Sequence, residues 1–221
     1  MERANQTSES LILGIFLALA GGFMDAYSYV CRGGVFANAQ TGNILLFGVF
    51  LSEGNVQRAM RYLCPILAFA AGIVLADVIR HHLKEQSLPH WRQISVLLEA
   101  LVLFGVGMIP QEWNLLANSL TSLACGIQVE SFRKIRGNGI ATTMCIGNLR
   151  TATEAMYSYI HTRKKKKLEK SLFFYGIICC FVIGAIWGNQ CIRVMEEMAI
   201  GVCAGILGIV FLLMFIDRES K

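Results

Sequence analysis

Six stretches of the chain are apolar over the length needed to cross a lipid bilayer, and they constrain the fold more than any other feature. They run over residues 11–30, 62–79, 94–110, 114–132, 171–189 and 198–216. A transmembrane helix takes roughly 20 predominantly apolar residues. Only 16% of the chain is charged, against about 25% in a soluble domain. There are 21 glycines and only three prolines. Small residues let helix backbones approach closely in lipid. The expected class is therefore an all-α integral membrane protein, one membrane domain over residues 1–221. Eight cysteines include no CxxC pair, and most lie in apolar runs, where they read as small hydrophobes and not as a disulfide framework.

Two further stretches, 35–51 and 140–160, are apolar but awkward. The second carries Arg150 and Glu154. Lys and Arg concentrate on the cytoplasmic side of membrane proteins. If neither stretch crosses, sixteen of the 20 Lys and Arg fall on one side, and Arg32, Arg58, Arg61 and Arg193 on the other. If both cross, the two sides are nearly balanced. Six spans are expected, with both termini cytoplasmic, in a bacterial cytoplasmic (inner) membrane. Ala18-Leu19-Ala20 before Gly21 has the look of a signal-peptidase site, but Glu2 and Glu9 flank Arg3. No basic leader precedes the first span, so an uncleaved span is expected. The run from Arg163 to Lys167 reads as a topology anchor facing anionic lipid. It contains no aromatic residue, so a nucleic-acid surface is not expected.

The chain repeats itself. At an offset of 105 residues Gly21 meets Gly126, Asp25 meets Glu130, Gly42 meets Gly147 and Asn43 meets Asn148. At an offset of 112, Phe69, Gly72 and Asp77 meet Phe181, Gly184 and Asn189. The repeats cover 11–110 and 114–216. Each holds three spans, an odd number, so the second would sit in the membrane upside down. Inverted 3+3 repeats occur in transporters, whose sites lie near the midplane on broken helices. The two Gly-Asn segments are expected to be re-entrant or broken helices, with Gly42 and Gly147 opening the backbone and Asn43 capping a short helix.

Polar residues inside such a chain are expensive and mark function. Asp25, Asn38, Gln40, Thr41, Gly42, Asn43, Gln128, Glu130, Gly147 and Asn148 are the expected solute-binding residues. Asp25 and Glu130 lie near span ends, where pairing with Arg32 and Arg133 is the alternative. Glu99, with no charged neighbour until Arg92, is the proton-coupling candidate. Arg150 would be a charge gate or an anchor. Gly14, Ala18, Gly22 and Ala26 form a small-residue stripe, the expected homodimer contact if the protein is a scaffold. His81-His82 are adjacent, not at the spacing of a helical metal pair. No nucleophile or phosphate-cradling motif is present, so no metal, cofactor or enzymatic activity is expected.

These residues carry a resemblance. Gly21-Gly22-Phe23-Met24-Asp25-Ala26, the stretch from Gly33 to Asn43, Gly126-Ile127-Gln128 and the stretch from Ala141 to Arg150 resemble the YoaK family, bacterial multipass membrane proteins grouped under a domain of unknown function. The resemblance covers nearly the whole chain. It implies a helical membrane protein and no particular substrate. The family's second half often reads Thr-Gly-Asn, where this chain has Ile146 before Gly147, which makes any two-fold site lopsided. The reading favoured by the residues is a small-solute transporter or channel. A membrane scaffold without transport is the alternative.

Overall fold

The computed structural model describes residues 11–83, 90–135 and 137–219. The described residues form eight α-helices: α1 (Leu11–Cys31), α2 (Gln40–Ser52), α3 (Val56–Leu83), α4 (Trp91–Val106), α5 (Asn114–Ser131), α6 (Cys145–Thr162), α7 (Lys165–Met195) and α8 (Ile200–Glu219). A small hairpin pairs Lys134–Ile135 with Asn138–Gly139. All six expected spans are helices, and both doubtful stretches contain one. Arg3, Lys84, Arg136 and Lys221, which entered the charge comparison, lie outside the described residues.

Three segments are long and apolar enough to cross a membrane: Leu11–Cys31, Val56–Leu83 and Lys165–Phe215. The last holds both α7 and most of α8, broken at Glu196, whose φ is 47°. Helix α2 has 13 residues. At 1.5 Å per residue it spans about 20 Å, short of a hydrocarbon core of about 30 Å. Gly54, at φ 71°, ends it, donating to the Leu51 carbonyl. Asn55 then opens α3 by accepting the Arg58 amide on its side chain.

The polarity of the packing is that of a protein solvated by lipid. Leu67, Val74, Leu101, Phe104, Ile183, Ile186 and Leu212 are exposed, while Asn43, Glu99, Asn118, Gln128 and Asn148 are buried. Helix α1 packs on α7 and α3 on α5. Helix α2 lies on α3 and α6 on α7. Helix α4 meets α5 and α8, and α8 also meets α1. The α1/α7, α3/α5, α4/α5, α4/α8 and α1/α8 pairings join the first half to the second, while α2/α3 and α6/α7 stay within one half.

The two main crossings are built alike. At α1/α7, a Cβ on Gly22 would overlap the Phe181 carbonyl, and one on Gly184 the Leu19 carbonyl. At α3/α5, a Cβ on Gly72 would overlap the Leu123 carbonyl, and one on Gly126 the Phe69 carbonyl. Gly22, not Gly21, is thus the counterpart of Gly126. The gapless match in the sequence slips by one residue in α1 and α5. Three of the four residues of the stripe expected to make a dimer pack within the chain. Gly22 faces α7, Gly14 faces Ile135 of the hairpin, and Ala18 is buried.

Polar contacts gather at two ends of the helix packing. At one end Arg32 reaches the Val106 and Ile109 carbonyls and Asn114, and the Tyr27 hydroxyl donates to the Glu197 carbonyl. At the other, Arg80 and Asp77 of α3 join Glu130 of α5 and Arg133 just beyond it in one ion-pair cluster, and Arg92 donates to the Ser131 carbonyl.

Candidate functional site

After α1 ends at Cys31, the chain turns through Gly33 and Gly34, both at positive φ, and runs back alongside α1. The Asn38 amide donates to Asp25 Oδ1 at 2.8 Å, and Asn38 Nδ2 donates to the Gly21 carbonyl at 3.0 Å. Gly21 is ten residues inside the end of α1, a return of about 15 Å. Helix α2 starts there and heads outward again. The second segment does the same from the opposite end. Ile135 sits against Gly14, near the start of α1, while Thr142 and Thr143 sit against Gly21. Helix α6 starts two residues later. The two tips therefore meet at the middle of α1, where a Cβ on Gly21 would lie 3.0 Å from Thr143 Cγ2.

A cavity of about 680 Å³ lies where the tips meet. Asp25, Asn38, Gln40 and Thr41, all anticipated from the sequence, line it together with Tyr29, Phe36, Thr143, Met144, Cys145, Ile146 and Phe181. Three of the other anticipated residues, Asn43, Asn148 and Gln128, serve the frame. Asn43 donates to the Phe36 carbonyl at 2.7 Å and accepts the Phe36 amide at 3.0 Å. Asn148 donates to the Ala141 carbonyl at 2.7 Å, the same bond in the second segment. Each asparagine fastens its tip to its helix one turn in, and neither caps a helix. The N-cap positions are Ala39 and Met144, and neither makes a side-chain cap bond. Gly42 does not break α2. It leaves room for the Phe36 ring, while Gly147 faces open space. Gln128 donates to the Leu17 carbonyl and to Thr142 Oγ1, tying the second tip to α1.

Glu130 is withdrawn into the ion-pair cluster with Arg80 and Arg133. The one-residue slip explains this. It rotates Glu130 by roughly 100° about its helix relative to Asp25. The expected Glu130–Arg133 pair is present, but Asp25 does not pair with Arg32, which bonds Tyr27 Oη at 2.8 Å. Arg150 pairs with Glu154 on the exposed face of α6. Glu99 lies apart from the cavity, fully buried near Cys125 and Cys203. Neither of its oxygens has a hydrogen-bond partner among the described residues.

Thr143 escaped the sequence reading, although it stands 105 residues after Asn38 and was therefore visible in the repeat. The aromatic wall of Tyr29, Phe36 and Phe181 left no such signal, because aromatic residues in apolar spans are ordinarily packing.

The family model for "Protein of unknown function (DUF1275)" matches residues 13–213. The chain belongs to the DUF1275 family. A relative in Bacillus subtilis (strain 168), "UPF0700 transmembrane protein YoaK", is 25% identical over 179 residues, covering 77% of this chain and 78% of its own. No solved structure matches significantly. DUF1275 membership, a transmembrane relative and the apolar helices establish a membrane protein. Both tips lie within the matched residues 13–213.

The frame makes an expectation. Asn43→Ala removes the bonds to both polar groups of Phe36 and leaves them unpaired. Each such loss costs about 1–3 kcal/mol. Asn43→Ala and Asn148→Ala are each expected to lower the melting temperature in detergent, with Asn43→Ala the larger because it loses two backbone bonds. Thermal unfolding of the two variants checks the order.

Proposed function

We propose that the protein is a small-solute transporter or channel of the bacterial cytoplasmic membrane, with six spans (α1, α3, α4, α5, α7 and α8) arranged as a 3+3 inverted repeat. Helices α2 and α6 are re-entrant half-helices in this reading. The observation that carries it is the meeting of two tips at Gly21, reached from opposite ends of α1, around a cavity lined by Asp25. Non-helical backbone at membrane depth is tolerated where it is buried in protein or lines a cavity. Transporter sites use half-helix ends in this way. The end bearing Arg80, Arg133 and the Lys-rich start of α7 faces the cytoplasm and anionic lipid, and both termini are cytoplasmic. Glu99 is the proton-coupling residue of this proposal. No chemical reaction is assigned to the protein.

The test is solute-driven swelling of proteoliposomes by stopped-flow light scattering, over a panel of polyols, amides, amino acids and organic acids. At least one solute is expected to enter faster than in protein-free vesicles. Asp25→Asn keeps an oxygen for the Asn38 amide, so the fold is expected to persist while that solute's rate falls at least about tenfold. A panel in which nothing enters faster than in empty vesicles contradicts transport.

The scaffold reading retains one observation. Gly201, Gly205 and Gly208 on α8 all face open space, a small-residue face of the kind used between helices. Cross-linking of single cysteines along that face distinguishes the two.

A further inference from the structure

Two chemically complementary sets of groups meet at the cavity, one from each tip, and both lie against Gly21. Asn38 is 1% exposed. Its Nδ2 is committed to the Gly21 carbonyl, and its Oδ1 has no partner among the described residues. The Asp25 carboxylate stands beside it on the same lining. Both present acceptor oxygens. On the second tip, Thr143 is 2% exposed, and its hydroxyl has no partner among the described residues. It directly precedes the N-cap of α6, an 18-residue helix without a side-chain cap. An uncapped helix start presents free amides and the positive end of the helix dipole, a natural seat for an anion.

The two helix starts differ in this respect. The amides of Ala37, Asn38 and Ala39, at the start of α2, already face the Asp25 carboxylate. Glu130, the acid that the 105-residue offset matches to Asp25, is held by Arg80 and Arg133 instead. The start of α6 thus lacks an anion that the start of α2 has. Tyr29, Phe36, Met144 and Phe181 supply apolar lining of the same cavity.

Resting on the transport reading above, we propose that the solute is a small zwitterion with an apolar body, an apolar α-amino acid being the simplest of the class. Its carboxylate sits at the start of α6 and accepts from the Thr143 hydroxyl. Its ammonium group faces Asp25 and donates to Asn38 Oδ1. Its side chain lies among Tyr29, Phe36, Met144 and Phe181. The binding step makes and breaks no covalent bond.

The experiment is calorimetric titration of the purified full chain in nanodiscs with three probes: L-leucine, 4-methylpentanoate, which lacks the amine, and 3-methylbutylamine, which lacks the carboxylate. Leucine is expected to bind saturably, and each single-charge probe at least about tenfold more weakly. Thr143→Val is expected to weaken leucine about tenfold while leaving 3-methylbutylamine unchanged, and Thr143→Ser to restore leucine. If Thr143→Val does not fold, the three probes on the unaltered protein decide alone. A 4-methylpentanoate affinity equal to that of leucine overturns the zwitterion. Absence of leucine binding, with proteoliposomes still swelling in another solute, overturns the substrate class and leaves transport standing. Absence of both binding and swelling overturns both.

Discussion

Gly22→Val is expected to prevent stable folding, and Gly72→Val to do the same. At both positions the first side-chain carbon would overlap a main-chain carbonyl, of Phe181 and of Leu123 respectively. A side-chain neighbour can rotate away from an intruder, but a carbonyl inside a helix moves only with its helix. Overpacking a core costs typically about 1–3 kcal/mol, and a clash with rigid backbone belongs at or beyond the upper end. The two crossings are alike, so the two losses should be of similar size. Gly176→Ala is the control. A Cβ there would meet nothing within 4 Å, and alanine favours the helix by up to about 1 kcal/mol. Thermal melts in one detergent, with yield of monodisperse protein as a second readout, check all three. A Gly22→Val protein as stable as the parent would show that α1 and α7 are not packed through these glycines.

Arg32→Met is the second large effect. Arg32 is 1% exposed. Its guanidinium donates to Tyr27 Oη at 2.8 Å, Asn114 Oδ1 at 3.1 Å, the Val106 carbonyl at 3.1 Å and the Ile109 carbonyl at 2.8 Å. Its own carbonyl accepts from Asn118. One side chain thereby closes the ends of α4 and α5 on α1. Hydrogen bonds from a charged donor contribute about 1.5–3 kcal/mol each, and several acceptors would be stranded together, so a loss of at least about 3 kcal/mol is expected. Arg32→Lys should recover little of it. An ammonium lacks the planar fork that reaches four acceptors in different directions. Melting temperature for both variants is the measurement. Equal stability of Arg32→Lys and the parent would assign Arg32 a general charge role and not a directional one.

The length of the apolar runs exposed the helices, because each run had to find lipid or another helix. The offset repeat exposed the tips, because glycine and asparagine are costly inside a bilayer unless backbone geometry requires them. What stayed hidden followed from partners that leave no trace in sequence. Arg32 suggested a carboxylate partner, yet it binds carbonyls and a phenol, and any residue supplies a carbonyl. Asn43 and Asn148 suggested ligand contacts, yet their amides are spent on Phe36 and Ala141 main chain. The glycine stripe of α1 signalled close helix packing correctly but not whether the partner belonged to the same chain. The slip between Gly21 and Gly22 is a matter of one residue. It places Asp25 in the cavity and Glu130 outside it.

The central proposal is that the two tips enter the membrane from opposite sides. It is tested most directly by sidedness at the far ends of α2 and α6. The eight cysteines are replaced, single cysteines are placed at Glu53 and His161, and a membrane-impermeant maleimide is applied to intact bacterial cells and to inverted vesicles. Glu53→Cys is expected to label only in cells and His161→Cys only in inverted vesicles. Labelling of both from the cytoplasmic side would mean that α2 and α6 cross the membrane, and would contradict the inverted arrangement and the transport reading built on it.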